Sequence, residues 1–304
     1  MTSSGLTAPH TATPPAASPH RVEFGGPAGS PRIVLVHGLG GSHVNWSRLG
    51  PLLARGSRPV ALDLAGFGRT PGSGRQAAVG ANVALVTRFL REETEGAILV
   101  GNSMGGAISL LAAAAEPDLV RGLVLVDPAL PQAAGAGFDP RVTLQFLAYG
   151  LPGTGELALR ARLALIPAER RVAATLRLGC ADPGRVPAEH AAAEAAMARS
   201  RVRMPGNVSA HLAATRSILL TMVRARVYWR AAAAIRCPVL LVHGDRDRLV
   251  PFASARAAAE RFPHWSFHPL PGVGHIPHIE APEELSAAIE DWMEIKLPGP
   301  QPQS

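Results

Sequence analysis

The sequence predicts an α/β protein in which a mainly parallel sheet is covered by helices on both faces and carries one inserted all-helical segment. Short apolar runs alternate with helix-favouring stretches over residues 21–130 and 236–297, and this alternation is typical of right-handed crossovers between parallel strands. The runs are apolar at successive positions, as expected for strands buried on both faces. Residues 131–235 contain helical stretches punctuated by Pro and Gly and no convincing buried strand.

Strands and helices can be assigned along most of the chain from these patterns. Strands are expected at residues 21–24, 32–36, 59–62, 98–100, 122–126, 238–242 and 266–270. Helices are expected at residues 79–93, 107–115, 142–149, 156–165, 169–178, 188–199, 208–234 and 283–295. Ligands of such sheets bind outside the carboxyl ends of the strands. His37, Asp63, Ser103 and Asp127 all stand at such ends.

The composition indicates one large domain with an insertion. The chain has 304 residues, 47% of them hydrophobic and 17% charged, which is enough to bury a large core. Residues 1–20 and 298–304 are expected to be disordered or flexible tails. No apolar run reaches membrane-spanning length, and no apolar stretch follows a basic start, so the expected location is the cytoplasm. The two cysteines, Cys180 and Cys237, have no metal-type spacing and are expected to be reduced.

The net charge of +7 is concentrated in the inserted segment. Residues 131–235 contain 14 arginines and six acidic residues. Lys296 is the single lysine of a chain rich in Ala, Arg, Gly and Pro, which points first to GC-rich coding and second to a surface for an anionic partner. Nucleic-acid binding is not expected, because no recognised module is present and the arginines are not interleaved with aromatic residues.

The segment Gly101-Asn-Ser-Met-Gly105 carries the main chemical signal. It follows a strand and opens a helix, which is the context that a G-x-S-x-G turn needs to expose a nucleophilic serine. Side chains at either glycine would collide with the turn or with a neighbouring strand. The N–H of Met104 lies at the start of the helix, where it can bind an oxyanion.

A nucleophilic serine needs a base and an orienting acid. His275 is the preferred base because it follows the last strand in a glycine-containing loop, ahead of the alternatives His278, His264 and His268. Asp247 is the preferred acid. Asp245 is expected to tie down the turn, and Asp127 is the second choice, since the strand after the nucleophile can also supply the acid.

The turn after the second predicted strand, His37-Gly-Leu-Gly-Gly41, offers the second oxyanion donor, for which we expect the Leu39 N–H. His37 is interpreted as bracing this loop through hydrogen bonds, and His243 and Asp63 are likewise given structural roles.

Five motifs in this order resemble the α/β-hydrolase superfamily over residues 21–297. They are His37-Gly38, Asp63-Leu-Ala-Gly-Phe-Gly68, Gly101-Asn-Ser-Met-Gly-Gly106, Gly244-Asp-Arg-Asp247 and Gly274-His-Ile-Pro-His-Ile-Glu280. The resemblance implies Ser103 as nucleophile, His275 as base, Asp247 as acid, the N–H groups of Leu39 and Met104 as oxyanion hole, and residues 131–235 as a helical cap.

The resemblance implies an esterase-like serine hydrolase that acts on a small, mainly apolar ester or acyl substrate and needs no metal or cofactor. Alternatives are a carbon-carbon bond hydrolase of aromatic degradation, which the Leu39-Gly40 wording makes less favoured, an acyltransferase, and a non-catalytic ligand-binding relative. A haloalkane dehalogenase or an epoxide hydrolase would need Asp at position 103. The residues expected to line an apolar acyl site are Trp46, Phe146, Tyr149, Leu219, Met222 and Trp229. The oligomeric state is left open.

Overall fold

The computed structural model describes residues 18–133, 137 and 139–297. Its strands are β1 (Arg21–Glu23), β2 (Arg32–Val36), β3 (Arg58–Leu62), β4 (Ala97–Asn102), β5 (Val120–Val126), β6 (Val239–Gly244) and β7 (Ser266–Leu270). They form one seven-stranded sheet in the order β1-β3-β2-β4-β5-β6-β7. Every pairing is parallel except that of β1 with β3. The predicted mainly parallel sheet is confirmed.

Twelve α-helices surround the sheet in the described residues. They are α1 (Leu49–Leu53), α2 (Val79–Glu93), α3 (Met104–Ala115), α4 (Pro140–Gly150), α5 (Thr154–Leu165), α6 (Ala168–Gly179), α7 (Ala188–Val202), α8 (Asn207–Val223), α9 (Ala225–Ala233), α10 (Phe252–Arg261), α11 (Pro277–Glu280) and α12 (Pro282–Lys296). The helices α4 to α9 lie between β5 and β6 and form the helical insertion. None of the helices in the described part of the chain is long and apolar enough to cross a bilayer.

The sheet buries side chains on both faces, as the continuous apolar strands predict. Along β4, Ile98 and Val100 pack into one core cluster with Trp292 of α12, whereas Leu99 packs into a second cluster with Ile108 of α3. This alternation follows from the two-residue period of a strand. It leaves β4 fully buried and places its carboxyl end at the centre of the sheet edge.

The helical insertion is held to the core by side-chain hydrogen bonds. Ser217 on α8 accepts a hydrogen bond from the Val79 N–H at 2.9 Å, and Ser209 accepts one from the Gly74 N–H at 3.2 Å. Glu194 on α7 accepts a hydrogen bond at 2.6 Å from the amide of Asn45, which lies in the loop after β2. The insertion is thereby joined to the loops that follow β2 and β3.

Two boundaries differ from the prediction. The helix expected over residues 208–234 is divided into α8 and α9, because Arg224 leaves the helical region with φ −81° and ψ 45°. Pro19 is buried and the His20 N–H donates to Thr70 Oγ1 at 2.8 Å, so residues 18–20 pack on the core rather than belonging to the tail. The predicted tails at 1–17 and 298–304, with residues 134–136 and 138 of the insertion, lie outside the described residues.

Candidate active site

Ser103 lies in a sharp turn between β4 and α3. Its backbone has φ 54° and ψ −120°, a conformation that non-glycine residues seldom adopt without a functional reason. A side chain at Gly105 would place its Cβ 2.1 Å from the Val36 carbonyl oxygen, and one at Gly101 would place it 2.5 Å from the Gly105 carbonyl oxygen. The glycine requirement inferred from the G-x-S-x-G spacing is confirmed, and the Ser103 side chain is partly exposed at the tip of the turn.

Asp247 and His275 are directly joined at the carboxyl ends of β6 and β7. The Nδ1 atom of His275 lies 2.7 Å from Oδ2 of Asp247, and since a carboxylate only accepts, the ring donates from Nδ1. The other oxygen, Oδ1, accepts the N–H groups of Leu249 at 2.7 Å and Val250 at 3.0 Å. Burial opposes ionisation of Asp247, but His275 and His243 outweigh it and hold the pKa of this carboxyl below its usual value.

The loop that carries His275 is anchored next to Ser103. The side-chain amide of Asn102, the residue before Ser103, donates to the His275 carbonyl at 3.0 Å and to the Val126 carbonyl at 3.1 Å. The His275 N–H donates to the Gly179 carbonyl at 2.6 Å. Backbone and amide contacts therefore bring Ser103 and His275 together. The Ser103 hydroxyl itself has no hydrogen-bond partner in the described residues, and such bonds often form only with substrate bound.

Two backbone N–H groups near Ser103 are free. Within the described residues, neither the Leu39 N–H nor the Met104 N–H has a hydrogen-bond partner. Met104 is the first residue of α3, at the positive end of the helix dipole. The adjoining peptide of Leu39 is fixed by His37, whose Nε2 accepts the Leu64 N–H at 3.0 Å, so that its Nδ1–H donates to the Gly38 carbonyl at 2.7 Å. Burial lowers the pKa of His37 to about 4, which keeps the ring neutral in the bracing role predicted for it.

Residues 31–282 match the family model described as the alpha/beta hydrolase fold. The chain belongs to this family. A pimeloyl-[acyl-carrier protein] methyl ester esterase of Aromatoleum aromaticum is 31% identical to this α/β-hydrolase over 269 residues, which cover 86% of this chain and 97% of the relative. A relative from Variovorax paradoxus, provisionally named carbamate hydrolase RutD, is 30% identical over 292 residues, covering 92% and 98% of the two chains.

Solved structures agree on the fold of this α/β-hydrolase. The haloalkane dehalogenase DbeA from Bradyrhizobium elkani superposes with a TM-score of 0.77 at 22% identity, covering 93% of this chain and 97% of the dehalogenase. At this identity the similarity shows the fold alone. The relatives that share more sequence carry esterase and hydrolase names, so this chain is an esterase-like member of the family.

The other acids and bases considered in the sequence have different contacts in this α/β-hydrolase. Asp245 accepts the Gly272 N–H at 2.7 Å and ties down a turn, as predicted. His264 and His268 are exposed, and His278 is buried with its ring 4.5 Å from that of Trp46. Among the described residues, none of these three histidines contacts Asp247.

Asp127 and His243 lie behind Asp247 and are fully buried. His243 Nε2 is 3.2 Å from Asp247 Oδ2 and 3.0 Å from the Val250 carbonyl. Asp127 adopts φ 44° and accepts the Gly244 N–H at 2.9 Å. Burial, with the nearby Asp247 charge, raises the pKa of Asp127 well above its usual value against the opposing effect of His243. Asp127 is therefore a neutral acid beside an ionised one.

Asp63 has the structural role predicted for it. Its carboxylate accepts the N–H groups of His43 at 2.7 Å and Arg69 at 2.8 Å, and the His43 ring lies 2.9 Å away. Burial opposes ionisation, but these donors lower the pKa of Asp63 to about 2. The groups His20-His43-Asp63 and Asp127-His243-Asp247 have ligand-type atoms close together. Since N–H donors already account for the carboxylate contacts, we assign no cation to either.

The residues expected to line the acyl site have mixed locations. Trp46 is fully buried in the core beside His278, and Trp229 packs at 5.9 Å against Phe262 and at 5.1 Å against Tyr228, so both serve packing. Met222 also packs against the core, and Phe146 and Leu219 are half-buried on the insertion. Tyr149 lies 5.9 Å from the ring of His211, which in turn faces Gly40. Of the six, Tyr149 is joined through His211 to the turn that contains Leu39.

Sequence reasoning missed Glu280, Arg201 and His211. Glu280 is buried and accepts three backbone N–H groups, from Gly274 at 2.8 Å, Asp182 at 2.7 Å and Ala181 at 3.1 Å, so it fastens the His275 loop to the insertion. Its place in the last motif was visible, but its partners were not. His211 and Arg201 lie on insertion helices, and no local pattern distinguishes them from their neighbours.

Proposed function

We propose that this α/β-hydrolase cleaves a carboxylic ester of a small, mainly apolar substrate through an acyl-enzyme on Ser103. The observation that carries the proposal is the 2.7 Å contact between His275 and Asp247, on a loop that Asn102 fastens beside the Ser103 turn. A base oriented by a carboxylate next to a strained, partly exposed serine is the arrangement that activates a hydroxyl for acyl transfer. The ester and carbamate names of the relatives support the same class of reaction.

The reaction has two steps. Ser103 Oγ attacks the ester carbonyl while Nε2 of His275 takes the hydroxyl proton, and Asp247 stabilises the resulting imidazolium. The carbonyl oxygen becomes an oxyanion that the N–H groups of Leu39 and Met104 bind. His275 returns its proton to the departing alkoxide, leaving the acyl group on Ser103. Water, deprotonated by His275, then attacks the acyl-enzyme, and the acid and free Ser103 are released.

The helical insertion acts in this proposal as a cap that shapes the acyl site. His211 and Tyr149 come from the insertion, and the His211 ring lies near Gly40 in the turn after β2. Both side chains present apolar surface, which fits a mainly apolar acyl group. Aspartate would be needed at position 103 for a dehalogenase, so the structural neighbour's chemistry is not proposed here.

Turnover of p-nitrophenyl esters from acetate to decanoate tests the proposal. Wild type should hydrolyse at least one member with saturation, and Ser103→Ala should reduce kcat by on the order of 10⁴-fold or more. Ser109→Ala is the matched control, because this hydroxyl lies on the same helix, is buried and has no hydrogen-bond partner among the described residues. Equal turnover by wild type and Ser103→Ala would refute the assignment of Ser103, and release of no product from any ester by folded wild type would favour the ligand-binding alternative.

A further inference from the structure

A buried arginine joins the helical insertion to the turn that follows β2. Arg201 lies near the end of α7 and is 8% exposed. Its Nη1 donates to the Gly40 carbonyl at 3.0 Å, and its Nη2 donates to the Gly66 carbonyl at 3.1 Å and to Asn207 Oδ1 at 3.2 Å. The guanidinium carbon lies 4.7 Å from the centre of the Phe67 ring. One side chain of the insertion thus holds carbonyls from two loops of the core.

The charge of Arg201 is not used for an ion pair. In the described part of the chain, no carboxylate lies within ion-pair distance of its guanidinium. Burial lowers the pKa of Arg201 to about 10, with Asp63 and Glu194 partly offsetting it, so the side chain is charged at neutral pH. A buried charge that meets only neutral acceptors costs free energy. Stability alone is therefore a poor reason for an arginine at this position, whereas fixing carbonyl directions is a good one.

The held turn is the one that offers the Leu39 N–H. The Gly41 N–H donates to the Gly38 carbonyl at 3.1 Å, and Gly40 has φ +79°. These values describe a β-turn with Leu39 and Gly40 at its centre and a left-handed third residue, where the lack of a side chain is required. His37 holds the Gly38 carbonyl from the core side, and Arg201 holds the Gly40 carbonyl from the insertion. The Leu39 peptide lies between these two fixed carbonyls.

We propose that Arg201 is a positioning residue, which aims the Leu39 N–H at the oxyanion by holding the Gly40 carbonyl. The inference rests on the proposed function, because it needs Leu39 as an oxyanion donor. A shift of even a small fraction of an ångström at such a donor matters most in the transition state, where the negative charge is largest. Arg201 should consequently affect kcat and leave KM nearly unchanged, and it would make catalysis depend on the docking of the insertion.

Replacement of Arg201 by Met, with Arg203→Met as the matched control, tests this role. Arg203 lies two residues further on and is exposed. Arg201→Met should reduce kcat by roughly tenfold to a hundredfold with KM within about twofold, since direct loss of one oxyanion donor costs about 10²–10³. The affinity for a trifluoromethyl ketone, which forms an oxyanion adduct with serine, should fall by the same factor. Guanidinium ion should restore part of the activity of Arg201→Ala.

Arg201→Lys serves if the Met variant does not fold, as judged by thermal unfolding, because it keeps the charge and cannot make all three hydrogen bonds. Unchanged kcat in whichever folded variant is used would overturn the inference, and so would a lower kcat with unchanged ketone affinity. Wild type that neither hydrolyses esters nor binds the ketone would instead overturn the proposed function, and the inference with it.

Discussion

Replacing Asp247 with Asn should reduce the kcat for ester hydrolysis by on the order of 10⁴-fold. The carboxylate oxygen that accepts the His275 Nδ1–H at 2.7 Å would be replaced by an amide that can present its own donor to Nδ1 and select the wrong tautomer. The predicted loss corresponds to about 5 kcal/mol of transition-state stabilisation. The amide oxygen can still accept the N–H groups of Leu249 and Val250, so the fold should survive.

Asp127→Asn is the matched control, because it makes the same chemical change at the neighbouring buried carboxyl. The pKa of Asp127 is raised, so this side chain is already neutral at neutral pH, and an amide can still accept the Gly244 N–H. We expect kcat within about threefold of wild type, the size of a small change in a neutral hydrogen bond.

The assay is initial-rate hydrolysis of a p-nitrophenyl ester from pH 5 to 9, with thermal unfolding of each variant to verify folding. The reasoning is refuted if Asp127→Asn loses a thousandfold while Asp247→Asn keeps most of the activity. That result would move the acid to the strand after the nucleophile, which is the alternative left open by the sequence.

Two further predictions concern the turn at Ser103 and the buried histidines. Gly105→Ala should abolish activity or folding, since its Cβ would lie 2.1 Å from the Val36 carbonyl oxygen, whereas Gly80→Ala, in open space on α2, should raise the unfolding free energy by about 0.5–1 kcal/mol; an active, stable Gly105→Ala enzyme would contradict the geometry. Burial lowers the pKa of His37 to about 4 and that of His211 to about 3, so from pH 6.5 down to those values the unfolded chain binds protons that the folded chain does not. The unfolding free energy from urea titrations should then be lower at pH 5 than at pH 7, by up to about 1.4 kcal/mol per pH unit for each histidine, and His211→Asn should reduce the difference; identical values at the two pH values would contradict the prediction.

The sequence predicted the elements of the site that local backbone geometry determines. Ser103 and Asp247 each follow a buried strand, so the pattern of apolar runs was enough to place them at one edge of the sheet. His275 follows the last strand in a glycine-containing loop, and its contact with Asp247 agrees with the prediction. The catalytic roles of these residues stay predictions, because geometry alone does not measure reactivity.

The sequence could not predict contacts that depend on how the insertion docks. Arg201 is one of 14 arginines in residues 131–235, and only the tertiary structure shows that its guanidinium reaches Gly40 and Gly66. Trp46 and Trp229 were assigned to the acyl site wrongly, because a buried core and an apolar pocket select the same aromatic residues. The break between α8 and α9 at Arg224 has no glycine or proline to signal it.

Labelling with a fluorophosphonate, followed by intact mass spectrometry, tests the central claim most directly because it needs no knowledge of the substrate. The probe forms an adduct only with an activated serine, and a folded protein should gain the mass of one phosphonyl group. Wild type and Ser109→Ala should each form this single adduct, and Ser103→Ala should form none. An adduct of equal yield on Ser103→Ala, or no adduct on folded wild type, would contradict the account of Ser103 as the activated nucleophile.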